Sequence, residues 1–173
     1  MPEPNVILQQ DEHRSGTTGC SAYVRFINKT NRVIEIVWIN YSGHYVRYRV
    51  LQKNNFVDVN TYSSHLWVAF DYYTKDRLLI NRQFVFNPKT IRQVLLEKYP
   101  DGIIPVDHEF RVRGYITSPL YSLRYCALLT VRNLLKTPEE ADTLELPKQL
   151  VVDLKKVITL KNNLVHTLDS QRR

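Results

Sequence analysis

The hydrophobic pattern of the chain changes at Pro119, and this change is the strongest constraint on its fold. Before Pro119, apolar residues tend to alternate with polar ones within short runs, which is typical of strands with one buried face. After it, apolar residues recur at spacings of three and four, which is typical of amphipathic helices. The sequence therefore predicts a mainly β plus α protein: an N-terminal β-sandwich domain followed by a small C-terminal three-helix domain.

Three regions follow from this pattern. Residues 1–20 are polar and mixed, and we expect a flexible tail. Residues 21–118 contain short strand-like runs separated by turn residues, which predicts the β-sandwich domain. Residues 119–173 form the predicted helical domain. Within the β-sandwich, Asn28 to Asn31 are interpreted as a hairpin turn, and Glu35 as a residue on the water-facing side of its strand.

One segment of the β region has a different period. Ile91, Val94 and Leu95 recur at helical spacing between Pro88 and Pro100, so we predict a short helix here. The residues assign no role to this insertion, which spans about 89–100.

Capping residues predict where the C-terminal helices begin. Ser122 is a suitable N-cap for the first helix. Thr137 and Glu140 have the spacing of a capping box at the start of the second. The third helix is predicted to begin near Pro147, because proline is tolerated in the first helical turn. Three helices of this size have little core of their own, so an exposed apolar face is expected to bind a partner.

Composition narrows the class of protein. The formal net charge is +7, but Lys and Arg are scattered rather than clustered, which does not favour nucleic-acid binding. The two cysteines, Cys20 and Cys126, have neither the spacing of a disulfide framework nor that of a zinc site. No apolar stretch has the length of a signal peptide or a membrane span. We therefore expect a reduced, intracellular protein without a nucleic-acid or membrane partner.

Motifs for catalysis are missing from the sequence. It contains no nucleophile elbow and no phosphate-binding loop, and no two histidines lie four residues apart. Asp107, His108 and Glu109 are adjacent, so on a strand their side chains would point to alternating faces. We expect no catalytic residue, no metal and no cofactor. An enzyme that uses His65 or His108 on a β-sandwich is kept as an alternative.

The run YSSHLWVAF mixes aromatic and polar residues in a way that suggests a binding pocket. On a strand, His65 and Trp67 would point to the same side. If neighbouring strands bring Trp38 and Tyr48 beside them, the four rings line a concavity that can hold an apolar ring and recognise one polar atom. Taken by residue type alone, a tryptophan on a strand is more often part of an ordinary core, and a single histidine is more often a structural residue.

The order of three longer segments resembles the von Hippel–Lindau tumour suppressor family. They are NKTNRVIEIVWINYSGHYVRY, YSSHLWVAFDYYTKDRLLINRQFVFNP and PLYSLRYCALLTVRNLLK. The resemblance covers most of residues 21–173. It implies a β-domain that binds substrate and a helical domain that binds the other subunits of a ubiquitin ligase.

The resemblance also implies a pocket for 4-hydroxyproline. Its substrate-binding residues would be Trp38, Tyr48, Asn60, Thr61, His65 and Trp67. The aromatic residues would surround the pyrrolidine ring, and Thr61 and His65 would hydrogen-bond its hydroxyl. Thr61 stands where the family usually has Ser, and Asn60 where it usually has His.

Two helical boxes are implied in the same way. Residues that resemble the Elongin C-binding box are Leu123, Ala127, Val131 and Arg132. Ala127 stands where the family usually has Cys, with Cys126 beside it. Residues that resemble the cullin-binding box are Leu146, Pro147, Leu150 and Leu154. Without the resemblance, the first set would read as ordinary helix core.

The resemblance implies a non-catalytic substrate receptor of a cullin-type ubiquitin ligase. Its substrate would be hypoxia-inducible factor α carrying 4-hydroxyproline, and its partners Elongin C, Elongin B, cullin 2 and a RING-box protein. We expect it in the cytoplasm and the nucleus. The alternative is an adaptor with the same elongin box whose β-domain binds a different, non-hydroxylated partner.

Overall fold

The structure is a computed structural model that describes residues 13–103 and 111–170. Its strands are β1 (Ser21–Asn28), β2 (Ile34–Ile39), β3 (Tyr45–Leu51), β4 (Phe56–Tyr62), β5 (Leu66–Asp71), β6 (Arg77–Ile80) and β7 (Val112–Thr117). The helices are α1 (Ile91–Lys98), α2 (Leu123–Leu134), a 3-10 helix (Pro138–Thr143) and α3 (Lys148–Asp169). Among these helices, none combines the length and the apolar character that a membrane span requires.

The described strands form one seven-stranded sheet in the order β3-β2-β5-β6-β7-β1-β4. One half contains β1 between β4 and β7, and the other contains β2 between β3 and β5. β6 pairs with both β5 and β7 and so connects the halves. The core between them includes Phe26, Ile36 and Trp67. The predicted combination of a β-domain with C-terminal helices is confirmed, although the two sheet halves are continuous through β6.

The predicted hairpin between the first two strands is wrong. β1 pairs with β4 and β7, whereas β2 pairs with β3 and β5, so the chain crosses between the two halves at Asn28. The Asn28 amide is buried and donates to the carbonyl oxygens of Arg32, Leu51 and Gln52. Its own oxygen accepts from the backbone and hydroxyl of Thr30. These bonds hold a corner rather than a tight turn.

The end of the predicted flexible tail is part of the fold. The backbone N–H of Ser15 donates to Asn40 O (3.1 Å), and that of Gly16 donates to Ser64 O (2.9 Å). Ser15 is only 3% exposed, because it lies between β2 and the turn that precedes β5. The rest of the predicted tail, residues 1–12, lies outside the described residues.

Local signals predicted three of the helix starts correctly, including that of α3, which begins at Lys148 directly after Pro147. The helix predicted at Ile91 is confirmed as α1, and Thr90 forms a capping box with Gln93. Ser122 is confirmed as the N-cap of α2, because its hydroxyl accepts from the N–H of Tyr125.

The capping box predicted at Thr137 is wrong. The Thr137 side chain makes no capping bond, and the Glu140 carboxylate accepts from the N–H of Lys136 instead (2.9 Å). The segment that follows is a 3-10 helix. Short 3-10 segments of this kind commonly connect α-helices.

The long helix α3 packs against the β-sheet with its C-terminal half. Leu164 and Leu168 contact a cluster formed by the side of β2 and β5 that faces away from the main core, with residues Val37, Ile39, Val68 and Phe70. β2 is therefore covered on both faces, which explains why its sequence is apolar at nearly every position.

Because both faces of β2 are covered, the interpretation of Glu35 as a water-facing residue is wrong. Its side chain is fully buried rather than water-facing. The carboxylate accepts from Arg47 Nε (2.7 Å) and from Lys75 Nζ (2.6 Å). Arg47 also lies 3.5 Å from Asp169 of α3. The buried charge is thus paired and lies close to the helix that covers β2.

A second ionic contact joins α2 to the β-domain. The Arg132 guanidinium is buried and donates to Asp76 Oδ1 (2.6 Å) and Thr74 O (2.8 Å). Just before α2, the Tyr121 hydroxyl donates to Arg77 O (2.7 Å). The helical region is therefore fixed to the sheet near the turn after β5 as well as along α3.

We expect Glu35→Gln to lower the free energy of unfolding by about 3 kcal/mol, because it removes the charge that compensates two buried cations. Urea denaturation followed by circular dichroism measures the change. Asp58→Asn is the matched control: it removes a carboxylate from a surface pair with Arg25, and we expect a loss below about 1 kcal/mol. Equal losses for the two variants would contradict the central role of the buried carboxylate.

Candidate functional site

The pairing of β2 with β5 places two tryptophans side by side. Trp38 and Trp67 are direct partners in the antiparallel register, so both indoles lie on the same side of the sheet. Trp67 is buried and packs against Phe26 in the core, with ring centroids 5.4 Å apart. Trp38 is only partly buried. The two indoles thus connect the core to the surface.

A β-bulge places Tyr48 near Trp67. The partners of Ile36 and Val37 on β3 are Arg49 and Arg47, so the register skips Tyr48. Its ring meets the Trp67 indole edge-on, with centroids 5.3 Å apart, and remains about half exposed. Tyr48 therefore lies at the mouth of a recess that Trp67 closes.

Thr61 and His65 provide the polar atoms of this recess. Thr61 lies on β4 and is buried, and its Oγ1 accepts from Trp67 Nε1 (3.2 Å). The same oxygen is 3.3 Å from His65 Nδ1. Burial lowers the pKa of the His65 imidazole, which favours its neutral form. The structure thus brings five of the six predicted substrate-binding residues together: Trp38, Tyr48, Thr61, His65 and Trp67.

The β4–β5 turn, rather than strand alternation, orients His65. It precedes the first residue of β5, and its N–H donates to Tyr62 O (3.0 Å), which closes the turn. The period-two argument that predicted a shared side with Trp67 therefore does not apply. His65 and Trp67 lie close together because both side chains contact Thr61.

Asn60 does not join the other predicted pocket residues. It precedes Thr61 on β4 and is exposed, because consecutive residues of a strand point to opposite faces. β4 is the last strand in the sheet order, so one of its backbone edges is not paired within the sheet. Asn60 can contribute to binding through that backbone edge.

Three residues around the pocket were missed by the sequence analysis. Tyr41 and Tyr62 pack edge-on against His65 with centroids 5.7 and 5.1 Å away, and the Tyr41 hydroxyl is 3.2 Å from His65 Nε2. Ser15 Oγ accepts from Trp38 Nε1 (2.9 Å) and Leu66 N (2.9 Å), and donates to Ile39 O. Tyr62 is adjacent in sequence to the predicted residue Thr61. No sequence pattern indicated Tyr41 or Ser15.

The predicted Elongin C-binding residues divide between two faces of α2. Leu123 is 86% exposed, Ala127 is exposed and Val131 is half-buried. Leu134, also exposed, extends this face by nearly one turn beyond Val131. Arg132 lies on the opposite side, where it binds Asp76, so it supports the orientation of α2 and does not share the exposed face.

The predicted cullin-binding residues are also divided. Leu146 and Pro147 are exposed before α3, and Leu150 is half-buried in its first turn. Leu154 is 1% exposed and packs in the helical core with Tyr125, Leu129 and Ala141. It is therefore a packing residue, and only the first three are accessible to a partner.

The enzyme alternative was based on His65 or His108. Within residues 13–103 and 111–170, no group of three or more metal-ligating side chains is arranged to hold an ion. His108, with Asp107 and Glu109, lies outside the described residues. His65 is surrounded by aromatic rings and a hydroxyl, a setting that suits recognition of a polar atom.

Comparison with known proteins identifies the fold that carries this pocket. Residues 14–93 match the family model of the VHL beta domain. Over these residues the chain resembles the von Hippel–Lindau family. It is also similar to Protein Vhl of Drosophila melanogaster, with 29% identity over 147 residues that cover 84% of this chain and 77% of that protein. This similarity supports a role in substrate recognition.

The VHL beta domain match contains every pocket residue, including Ser15. We expect Ser15→Ala to lower the free energy of unfolding by about 1–3 kcal/mol, because it leaves three buried or partly buried polar groups without their common partner. Hydrogen exchange of the Leu66 amide should also be faster in Ser15→Ala. Ser64→Ala, which removes one exposed bond to Gly16 O, should change either quantity little. Unaltered Leu66 exchange in Ser15→Ala would contradict this role.

Proposed function

We propose that this chain is the substrate receptor of a cullin-type ubiquitin ligase and binds hypoxia-inducible factor α through a 4-hydroxyproline. The observation that supports this most strongly is the pair of polar atoms 3.3 Å apart, Thr61 Oγ1 and His65 Nδ1, in an aromatic recess. A pocket of this kind needs a ligand that is apolar over one small ring and polar at one atom.

The aromatic walls would hold the pyrrolidine ring. Trp67 closes the inner end of the recess, and Tyr48 stands edge-on to it at 5.3 Å. Trp38 forms a third side and contacts the His65 ring, with centroids 5.1 Å apart. These contacts would stabilise proline and hydroxyproline alike, because they involve only carbon atoms of the ring.

The hydroxyl would supply the selectivity. An unmodified proline would bond to neither Thr61 nor His65 and would leave them only their long mutual bond of 3.3 Å, and each buried polar group left without an adequate partner costs about 1–3 kcal/mol. Two such groups give a preference for hydroxyproline over proline on the order of 10³-fold, as in sites that recognise a substrate hydroxyl. The rest of the peptide would add along the open edge of β4 through main-chain hydrogen bonds.

The helical region would recruit the ligase. Leu123, Ala127 and Leu134 form an exposed apolar face on α2, with Val131 at its border, and this face would bind Elongin C. Elongin B would join through Elongin C. Leu146, Pro147 and Leu150 would contact cullin 2, which carries the RING-box protein. Ubiquitin transfer would occur on those subunits, so this chain would act without catalysis, in the cytoplasm and the nucleus.

Hydroxylated and unmodified peptides test the substrate. We expect a proline-containing hypoxia-inducible factor α peptide to bind on the order of 10³-fold more tightly when its proline carries the 4-hydroxyl. Isothermal titration calorimetry with the elongin complex of this chain measures both affinities. A difference of tenfold or less would favour the alternative of a non-hydroxylated partner.

Two substitutions at one position show whether the hydroxyl is recognised through Thr61. Thr61→Val keeps the shape of the side chain but removes Oγ1, and should reduce the preference for the hydroxylated peptide by about tenfold or more. Thr61→Ser keeps the oxygen and should retain most of the preference. If both variants behave alike, Thr61 Oγ1 is not the recognising atom.

Leu123→Asp tests recruitment of Elongin C. A carboxylate at the centre of an apolar interface would be desolvated without a partner, so we expect affinity for the Elongin B–Elongin C pair to fall at least about 100-fold. Biolayer interferometry provides the measurement. Leu96→Asp is the matched control, since Leu96 is an exposed helical leucine on α1, and it should bind normally. Persistent binding of the Leu123 variant would exclude this face as the elongin surface.

A further inference from the structure

We infer that Tyr41 is a positioning residue of the pocket, which holds His65 in the tautomer whose Nδ1 is free to accept the ligand hydroxyl proton. The ligand part of this inference rests on the proposed function. Its protein part rests on a chain of hydrogen bonds through Trp67, Thr61, His65 and Tyr41.

Trp67 sets the direction of this chain. An indole N–H only donates, so Thr61 Oγ1 must accept the 3.2 Å bond from Trp67 Nε1. The Thr61 hydroxyl then has one proton of its own to donate. Within the described residues, the only other polar atom bonded to Thr61 Oγ1 is His65 Nδ1, at 3.3 Å.

Two arrangements of the His65 proton are possible, and they differ in what they leave unpaired. With the proton on Nδ1, the imidazole donates to Thr61, and the proton of the buried Thr61 hydroxyl has no acceptor. With the proton on Nε2, Thr61 donates to Nδ1, and Nε2–H donates to the Tyr41 oxygen at 3.2 Å. The second arrangement leaves over only the proton of the Tyr41 hydroxyl, which is exposed and can donate to water, whereas the first leaves over the proton of the buried Thr61 hydroxyl.

A bound hydroxyl fits the same direction. It would accept from Thr61 and donate to His65 Nδ1, replacing the long bond between the two residues. With the other tautomer, the ligand hydroxyl would accept from His65 Nδ1–H, and either its own proton or that of Thr61 would be left without an acceptor. The tautomer held by Tyr41 is thus the one in which both recognising bonds are fully used.

The Tyr41 ring is held in place by its neighbours. It packs edge-on against Trp38, with centroids 5.2 Å apart. The β2–β3 turn that carries it is held by Asn40, whose side-chain oxygen accepts from the N–H groups of Ser42 (2.9 Å) and His44 (2.8 Å). Gly43 supplies the left-handed residue of this turn, with φ of 80°. A turn fixed in this way orients the side chain that it carries.

The nitrogen shifts of His65 test the protein part. We would record long-range ¹H–¹⁵N correlation spectra of the full chain, with ¹⁵N-labelled histidine, at about pH 8 where histidine is neutral. His65→Gln identifies the signals. We expect Nδ1 to be unprotonated and Nε2 protonated in the unsubstituted chain, and the two shifts to move toward each other in Tyr41→Phe as the second tautomer becomes populated.

Tyr62→Phe is the matched control. Tyr62 also packs edge-on against His65, with ring centroids 5.1 Å apart, but among the described residues its hydroxyl makes no hydrogen bond to the imidazole. Removal of the Tyr62 hydroxyl should leave both nitrogen shifts of His65 unchanged. A proton on Nδ1 in the unsubstituted chain, or identical spectra for it and Tyr41→Phe, would overturn the inference.

Binding measurements separate this inference from the proposed function. Tyr41→Phe should weaken the hydroxylated peptide about threefold to tenfold and leave the unmodified peptide unchanged. Equal weakening of both peptides would show that Tyr41 acts only through packing and would overturn the inference. If the unsubstituted chain does not prefer the hydroxylated peptide, the proposed function fails, and the nitrogen shifts still decide whether Tyr41 holds His65.

Discussion

The antiparallel pairing of β2 with β5 is the contact on which the rest of the molecule depends. Its register places Trp38 beside Trp67 on one face and Val37 beside Val68 on the other. The first face lines the pocket, and the second contacts Leu168 of α3. Because side chains alternate along a strand, a slip of one residue would exchange the two faces. The binding site and the seat of the long helix are therefore specified by one set of backbone hydrogen bonds.

Two buried charges connect the helical region to this sheet at separate places. Glu35 of β2 compensates Arg47 and Lys75 beneath the end of α3, and Arg132 of α2 binds Asp76 beyond β5. Buried ion pairs are costly to desolvate, so they contribute more to a unique arrangement than to net stability. Here they fix the orientation of the helices, which leaves Leu123 and its neighbours facing outward.

The pocket combines rigidity with a small number of polar atoms. The Trp67 indole is buried, so its N–H needs an acceptor and finds it in Thr61. The same oxygen then faces His65, whose pKa is lowered by burial. The need to pair the buried N–H of Trp67 thus orients the Thr61 hydroxyl, which would recognise the ligand. Polar groups held by the core are pre-organised, which is what a site needs to detect one added hydroxyl.

The sequence alone determined what depends on neighbours along the chain. The change of period at Pro119, the N-cap at Ser122 and the short helix at Ile91 all follow from residues a few positions apart, and the family resemblance supplied the pocket residues. Only the tertiary structure decided that β1 crosses to the other half of the sheet at Asn28, and that Glu35 is buried. Those outcomes depend on which distant strands and helices pack together, because burial and pairing are properties of contacts that local spacing does not encode.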